Sequence, residues 1–398
     1  MDKLNIVDLP GDLYGIIKDF LSHEDMNNLL RSSSSLYCWY KRDYYYWELT
    51  TNSSYSFYSD PNLRRDILGK CSFPYWQLGL TFYSEDISDV TVLDGVHKIL
   101  FSDCQFNSDI TGLENVHTLS FLSCTGIYDI KALRKVHTLV MFRFPELTDV
   151  SYLCNVRKLD LAYCEMLQDV SKLSCCHELK FLHCEKIDDV SMLGNVHTLE
   201  IRECPDVTDV SALGSVHWLE ITCCEGISDV RALGGVHYLD LSGCSNVVDV
   251  RALGGVHTVR LNSCHNVTDV SALGNVYHLE LSYNNNISDV SALGRVHTLE
   301  LSNCYKVADV STLGGVHTLD ITECYKILDV SMLGGVHSLK FSNASFSDVS
   351  ALGGVHTLEM SFCKKITDVS MLGRVTNLSI SNCPNITASS FKHIEEYK

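Results

Sequence analysis

The stretch Val236-His237-Tyr238-Leu239-Asp240-Leu241-Ser242-Gly243-Cys244-Ser245-Asn246-Val247-Val248-Asp249-Val250-Arg251-Ala252-Leu253-Gly254-Gly255 decides how this chain folds. Leu239 and Leu241 alternate with Tyr238, Asp240 and Ser242, the period-two pattern of a short strand with one buried face. Val236, Val247, Val250 and Leu253 place apolar groups on the other sides of the same twenty residues. One copy cannot bury all of these by itself, so each copy must stack on another.

The copies are there. An aspartate stands every twenty residues from Asp89 through Asp109, Asp129 and Asp149 to Asp329; one residue is then lost, and Asp348 and Asp368 close the series. Fifteen units in register predict an α/β solenoid, because each coil buries its apolar corners only against its neighbours. Stacked strands then make a parallel sheet on a concave face, spaced about 4.8 Å, so that fifteen coils form an arc of roughly 70 Å. A chain of 398 residues is too long for one ordinary core, a limit that stacking removes.

Three polar columns run through the repeats. Cysteine recurs at Cys104, Cys124, Cys164, Cys184, Cys204, Cys224, Cys244, Cys264, Cys304, Cys324, Cys363 and Cys383, with Phe144, Asn284 and Ala344 as replacements. At the bend after each strand a small buried donor can satisfy freed carbonyls. The aspartate precedes a four-residue turn, where its carboxylate can accept the next free N–H groups as a cap does. Histidine fills its column in twelve of fifteen units, just before the strand. A line with one imidazole per coil reads as a stacked ladder sharing hydrogen bonds between coils, rather than a metal site, which needs donors converging on a point.

This pattern resembles the leucine-rich repeat, L-x-x-L-x-L-x-x-N/C-x-L, over residues 75–390. The Asp-Val-Ser-Ala-Leu phrase looks like the short-repeat arrays of bacterial internalins, minus two residues. The cysteine and the Val-His-Thr-Leu phrase resemble arrays of large DNA viruses of amoebae. The resemblance implies a concave sheet that binds proteins.

The net charge is −18; residues 1–72 hold ten acids and eight bases, a net of −2, which leaves −16 on the array. Fifteen capping aspartates nearly account for that. Such a surface disfavours nucleic acid and favours a target with a basic patch. No run reaches the roughly 18 apolar residues of a membrane span, and Met1-Asp2-Lys3-Leu4-Asn5 lacks a signal peptide's apolar stretch. These features point to an intracellular protein of cytoplasm or nucleus, with no membrane partner and with its 18 cysteines reduced. His177-Glu178 does not extend to H-E-x-x-H, and no phosphate loop or nucleophile elbow is present. No enzyme activity, cofactor or metal is expected.

Residues 1–49 have no twenty-residue period. Leu13, Ile16, Ile17, Phe20 and Leu21 recur at helical spacing after Pro10, Ser22 caps a second helix carrying Met26, Leu29 and Leu30, and Leu36, Trp39 and Tyr40 fit a third. These residues resemble an F-box, which implies docking on the adaptor subunit of a cullin-RING ubiquitin ligase. Carried over, the contact would use Leu9, Pro10, Leu13, Ile16, Phe20, Leu21, Asp25 and Leu29; Arg31-Ser32-Ser33-Ser34-Ser35 departs from the family pattern. Residues 1–49 are thus read as an F-box-like domain of three helices and 50–74 as a connector packed on the first coil. Residues 75–390 form the array and 391–398 a terminal cap. The function this implies is substrate recognition for the ligase. The alternative is a binding scaffold whose N-terminal helices only cap the solenoid.

Binding residues should break the consensus on the concave face. Mid-strand acids dominate there, and Phe142, Arg143, Tyr163, Arg202, Trp218, Glu220, Tyr238 and Asp240 stand out among small residues. Aromatic and arginine side chains are the usual interface anchors.

Overall fold

The computed structural model describes residues 4–5, 36–41, 44–70, 76–107 and 109–386. The chain divides into two compact units, Met1–Lys180 and Phe181–Lys398.

In the first unit β1 (Leu4–Asn5) pairs antiparallel with β2 (Leu36–Lys41), and β2 forms an antiparallel pair with β3 (Tyr44–Leu49), Leu36 opposite Leu49. This corrects the expected third helix. Tyr and Trp recur in both segments, and aromatic side chains favour the pleated state over a helix of so few residues. The first two expected helices, with all eight residues assigned to adaptor contact, lie outside the described residues.

Residues 50–70, read as a connector, hold two helices. In α1 (Thr51–Ser59), Ser54 and Phe57 are buried; the Ser54 hydroxyl accepts the Thr81 N–H at 3.0 Å and donates to the Leu49 carbonyl. Tyr55 and Tyr58 of the same helix set their edges on Phe82, ring centroids 5.4 and 5.9 Å away. α2 (Pro61–Lys70) opens with proline where no N–H is missed, and the Asp60 carboxylate accepts the Asn62 N–H at 2.9 Å. β4 (Trp76–Tyr83) runs parallel to β3 and starts the repeats. Strands Lys98–Ser102, Thr118–Leu122, Thr138–Phe142 and Lys158–Ala162 follow in register, with Leu119, Leu139 and Leu159 opposite one another. Their inner face carries a column of stacked rings, Phe82, Phe101 and Phe121, at 5.2 and 5.6 Å.

The second unit continues the pattern from Thr198–Arg202 to Asn377–Ser381, every strand parallel to the next. Leu219, Leu239, Val259, Leu279, Leu299 and Leu319 face one another across the ladder. The lost residue leaves this register intact, since Ser338 pairs with Thr357; the bend absorbs it, where Phe346 turns into the core.

Each column has its expected chemistry. Cys244 donates to the Ile221 carbonyl one coil back at 3.1 Å, and Cys304 does the same to Leu281 at 3.1 Å. Asn284 replaces the thiol with its amide, reaching Leu261 at 2.7 Å and Leu281 at 2.9 Å. Burial pushes the thiols of Cys264 and Cys304 up to about 12 and about 11. All fifteen aspartates accept the N–H two residues on, as Asp209 does from Ser211 at 2.8 Å, opening a short 3-10 turn in place of an α-helix.

The histidines stack. In the second unit successive rings from His217 to His356 lie 4.4–4.9 Å apart, Tyr277 taking one place between His257 and His297. At His257 and His317 the ring hydrogen bond does not run between coils as expected. Instead Nδ1 meets the next threonine hydroxyl of the same coil, at 3.2 Å in both. Burial, and neighbouring imidazoles, hold His117, His237 and His337 below their ordinary range and bring His97 down to about 4.

Candidate binding surface

Outward positions of the strands form an open face in each unit. In the first unit Phe142 and Tyr163 meet edge to face at 5.1 Å, and the Arg143 guanidinium lies 5.3 Å from one ring and 6.0 Å from the other. These three sequence candidates are brought together.

In the second unit Trp218 and Tyr238 hold matching places on paired strands, and their rings stack at 3.6 Å with a 10° tilt. The indole N–H donates to Glu220 at 2.9 Å, and Arg202 bridges Glu220 and Glu200, the latter at 3.2 Å. Arg260 lies 5.5 Å over the Tyr238 ring while its Nε stands 2.8 Å from Glu280. This sandwich corrects part of the sequence reading. Trp218 is 38% exposed, but Tyr238 at 7% and Asp240 at 8% are buried and offer a partner little surface. Burial raises the Asp240 carboxyl above its ordinary range, against a hydrogen bond from the Ser242 N–H at 2.8 Å.

The mid-strand column reads Glu200, Glu220, Asp240, Arg260, Glu280, Glu300, Asp320, Lys340 and Glu359 in register. Its acids are legible in the sequence; its built-in cations stand out only once the strands are aligned. Lys340 pairs with Asp320 at 3.1 Å, as Arg260 does with Glu280. The face is therefore less acidic than its acids alone suggest.

His278, Glu280 and Glu300 bring one donor atom each within 4.8 Å of one another. Both Glu280 oxygens are engaged, one by Arg260 and His278 Nε2, the other by the Asn262 amide at 2.9 Å. Arg260 already offsets the Glu280 carboxylate, which makes the cluster a polar network more than a metal centre.

Taken together, buried leucines on short parallel strands, a cysteine or asparagine at the bend and a capped turn define a leucine-rich-repeat solenoid. No family model matches the chain, and no curated protein matches it in sequence. Among solved structures it is similar to an internalin, InlF, from Listeria monocytogenes, with 21% identity over 76% of this chain and 86% of that one, TM-score 0.47. It is also similar to the functional domain of InlJ from the same organism, which includes a cysteine ladder, with 19% identity over 74% and 70% of the two chains, TM-score 0.44. A leucine-rich-repeat protein of Leptospira interrogans shares 14% identity over 84% of this chain and 90% of its own, TM-score 0.49.

Proposed function

We propose that this chain is a protein-binding solenoid and not an enzyme, and that the open sheet face of its second unit is a binding surface centred on Trp218. The observation that carries this reading is a large aromatic ring left 38% exposed yet fixed on both sides, by Tyr238 stacking and by the bond to Glu220. A ring held rigid before binding loses little freedom on contact, and hot spots are built this way. The polar residues nearby already have structural work: the aspartates cap turns and the thiols, pushed up by burial, serve as donors. Thiol donors must stay reduced, which supports an intracellular setting, cytoplasm or nucleus. Among the described residues no helix is long and apolar enough to cross a membrane.

Affinity capture from cell extract tests the reading. Partners retained by the native chain and by Thr318→Ala, but lost with Trp218→Ala, support it; equal retention by all three overturns it.

The finer reading makes the chain the substrate receptor of a cullin-RING ligase. Its support is Leu9-Pro10-Gly11-Asp12-Leu13 with Phe20, Leu21 and Asp25 at the spacing of an F-box. The antiparallel pairing of Leu36–Lys41 with Tyr44–Leu49 takes away the expected third helix, so the scaffold reading stands first. Replacing Leu9 and Leu13 with aspartate should abolish capture of the adaptor subunit; undiminished capture ends the ligase reading.

A further inference from the structure

Further along the second unit the open face has a second character. Glu280, Glu300 and Asp320 occupy one position on three consecutive strands. The outer two are paired within the molecule, Glu280 with Arg260 and Asp320 with Lys340. Among the described residues no hydrogen bond or ion pair engages the Glu300 carboxylate, which stands half-buried between them. Burial, with Glu280 and Asp320 on either side, raises its carboxyl above the ordinary range, while His278 and Arg260 act more weakly in the opposite sense. A carboxylate so placed is stabilised by any cation brought to it.

The exit ends of the same strands carry exposed aromatic rings. Tyr283 is 53% exposed, Tyr305 40% and Tyr325 45%. Tyr305 and Tyr325 stack at 5.6 Å, and Tyr305 is braced by donating its hydroxyl hydrogen to Asn303 at 3.1 Å. Elsewhere in the second unit the residue on which Tyr283 falls is most often polar, as in Glu203, Ser263, Asn303 and Glu323. Tyr305 and Tyr325 therefore form a stacked pair on neighbouring coils, and Tyr283 stands two positions nearer the strand on the coil before them.

We propose that these coils dock an extended, arginine-bearing segment of a partner protein, with one guanidinium seated on Glu300 and the segment continuing over the exposed tyrosines at the strand exits. The molecule already contains this arrangement in miniature: Arg260 lies 5.5 Å over the Tyr238 ring while its Nε stands 2.8 Å from Glu280. A planar guanidinium can fork onto a carboxylate and stack on an aromatic face at once, which an ammonium cannot. Charge complementarity thus selects a cation, and geometry selects arginine over lysine. The inference deepens the protein-binding reading but uses residues other than Trp218.

Fluorescence anisotropy on the full chain, at about 0.1 M salt, tests it with a labelled twelve-residue peptide of glycine, serine and three arginines. Lysine and citrulline versions serve as comparisons. The arginine peptide should bind, the lysine peptide several-fold more weakly, and the uncharged citrulline peptide not measurably. Glu300→Gln should weaken binding about tenfold and Tyr305→Ala several-fold, while Trp218→Ala and the exposed-acid control Asp206→Asn stay within about twofold. Glu300→Gln removes repulsion between neighbouring acids, so it should fold; circular dichroism checks this. No binding by the native chain, no effect of Glu300→Gln, or an equal loss with Asp206→Asn each overturns the proposal. If Trp218→Ala abolishes partner capture while Glu300→Gln leaves the peptide bound, the protein-binding reading survives and this docking site falls.

Discussion

Adjacent glycines in the consensus turn should respond oppositely to one methyl group. A Cβ on Gly254 would lie 2.3 Å from the Ala272 carbonyl oxygen of the next coil, about 1.1 Å short of the 3.4 Å at which contact becomes ordinary. A Cβ on Gly255 would lie 3.7 Å from the Gly234 oxygen. The obstacle at Gly254 is backbone, and the coils cannot simply separate, because Leu261 N–H reaches the Glu280 carbonyl at 2.9 Å in the same stack. Overpacking of this kind costs about 1–3 kcal/mol, while alanine in place of glycine returns about 0.4–1 kcal/mol by restricting the unfolded chain. Gly254→Ala should therefore lose about 1–1.5 kcal/mol net, and Gly255→Ala should gain about 0.5 kcal/mol. Urea denaturation followed by circular dichroism gives the net effect. Hydrogen exchange of amides in residues 253–280 locates it, which matters because stacked arrays need not unfold in one step. Equal responses of the two variants, or a stabilised Gly254→Ala, would refute the close-stacking argument. The first unit sharpens the point: Asp94, Glu114, Arg134, Cys154 and Ser174 hold the equivalent place, and glycine occupies it from Gly194 onward. That change of column falls between the two compact units.

Single columns carry the other tests. Leu241 is fully buried, so Leu241→Ala should cost about 2–5 kcal/mol in the same melts, against little for the outward-facing Thr258→Ala. Native-state alkylation read by peptide mapping should modify the exposed Cys175 and Cys223 first and spare Cys244, Cys264 and Cys304 until the chain unfolds. Cys264→Asn should restore stability relative to Cys264→Ala, because Asn284 already makes the same carbonyl contacts. Part of the imidazole ladder gives a pH effect: His97, His117, His137, His237 and His337 bind protons less readily folded than unfolded, so their contribution is present above about pH 6.5 and lost as pH falls toward the folded values, about 4 for His97. Urea midpoints should fall between pH 7.5 and 5, and His237→Tyr, which copies the stacked Tyr277, should flatten that slope; an unchanged slope would mean the ladder does not carry it.

Much of this was legible because it was written fifteen times. Strand register, the carboxylate at the turn and the thiol at the bend each follow from the chemistry of one column, and a misread residue is outvoted by its copies. The N-terminal segment has no such redundancy. Leu36, Trp39 and Tyr40 match helical spacing, but so short a run fits a strand equally well, and pairing with Tyr44–Leu49 decides it. In the binding surface Trp218 was legible as a large residue where small ones recur. The burial of Tyr238 and Asp240 was not, since it depends on Trp218 and Arg260 at offsets of twenty residues, outside any local window. The counter-ions Arg260 and Lys340 emerge only when the column is read across coils.

The backbone at the end of each strand left only a faint trace in local sequence. The residue there adopts the left-handed conformation, with φ of 56° at Tyr163, 55° at Cys223, 64° at Tyr283 and 55° at Phe362. Such backbone costs a residue with a Cβ about 1–2 kcal/mol, and glycine or asparagine would be the usual signal. The column holds one glycine, Gly243, and three asparagines, Asn303, Asn343 and Asn382; at Gly243 an added Cβ would come 2.9 Å from the Cys223 sulfur. The conformation is imposed from outside the residue: Cys223 N–H donates to the Ser242 carbonyl at 2.9 Å and Tyr283 N–H to Ser302 at 2.8 Å, each tying a strand end to the following coil. Side chains there are largely released from packing, as the 53% exposure of Tyr283 and 50% of Phe362 indicates. The ladder thus fixes the backbone and leaves the side chain free to vary, so this edge can change residue without disturbing the leucine core beneath it.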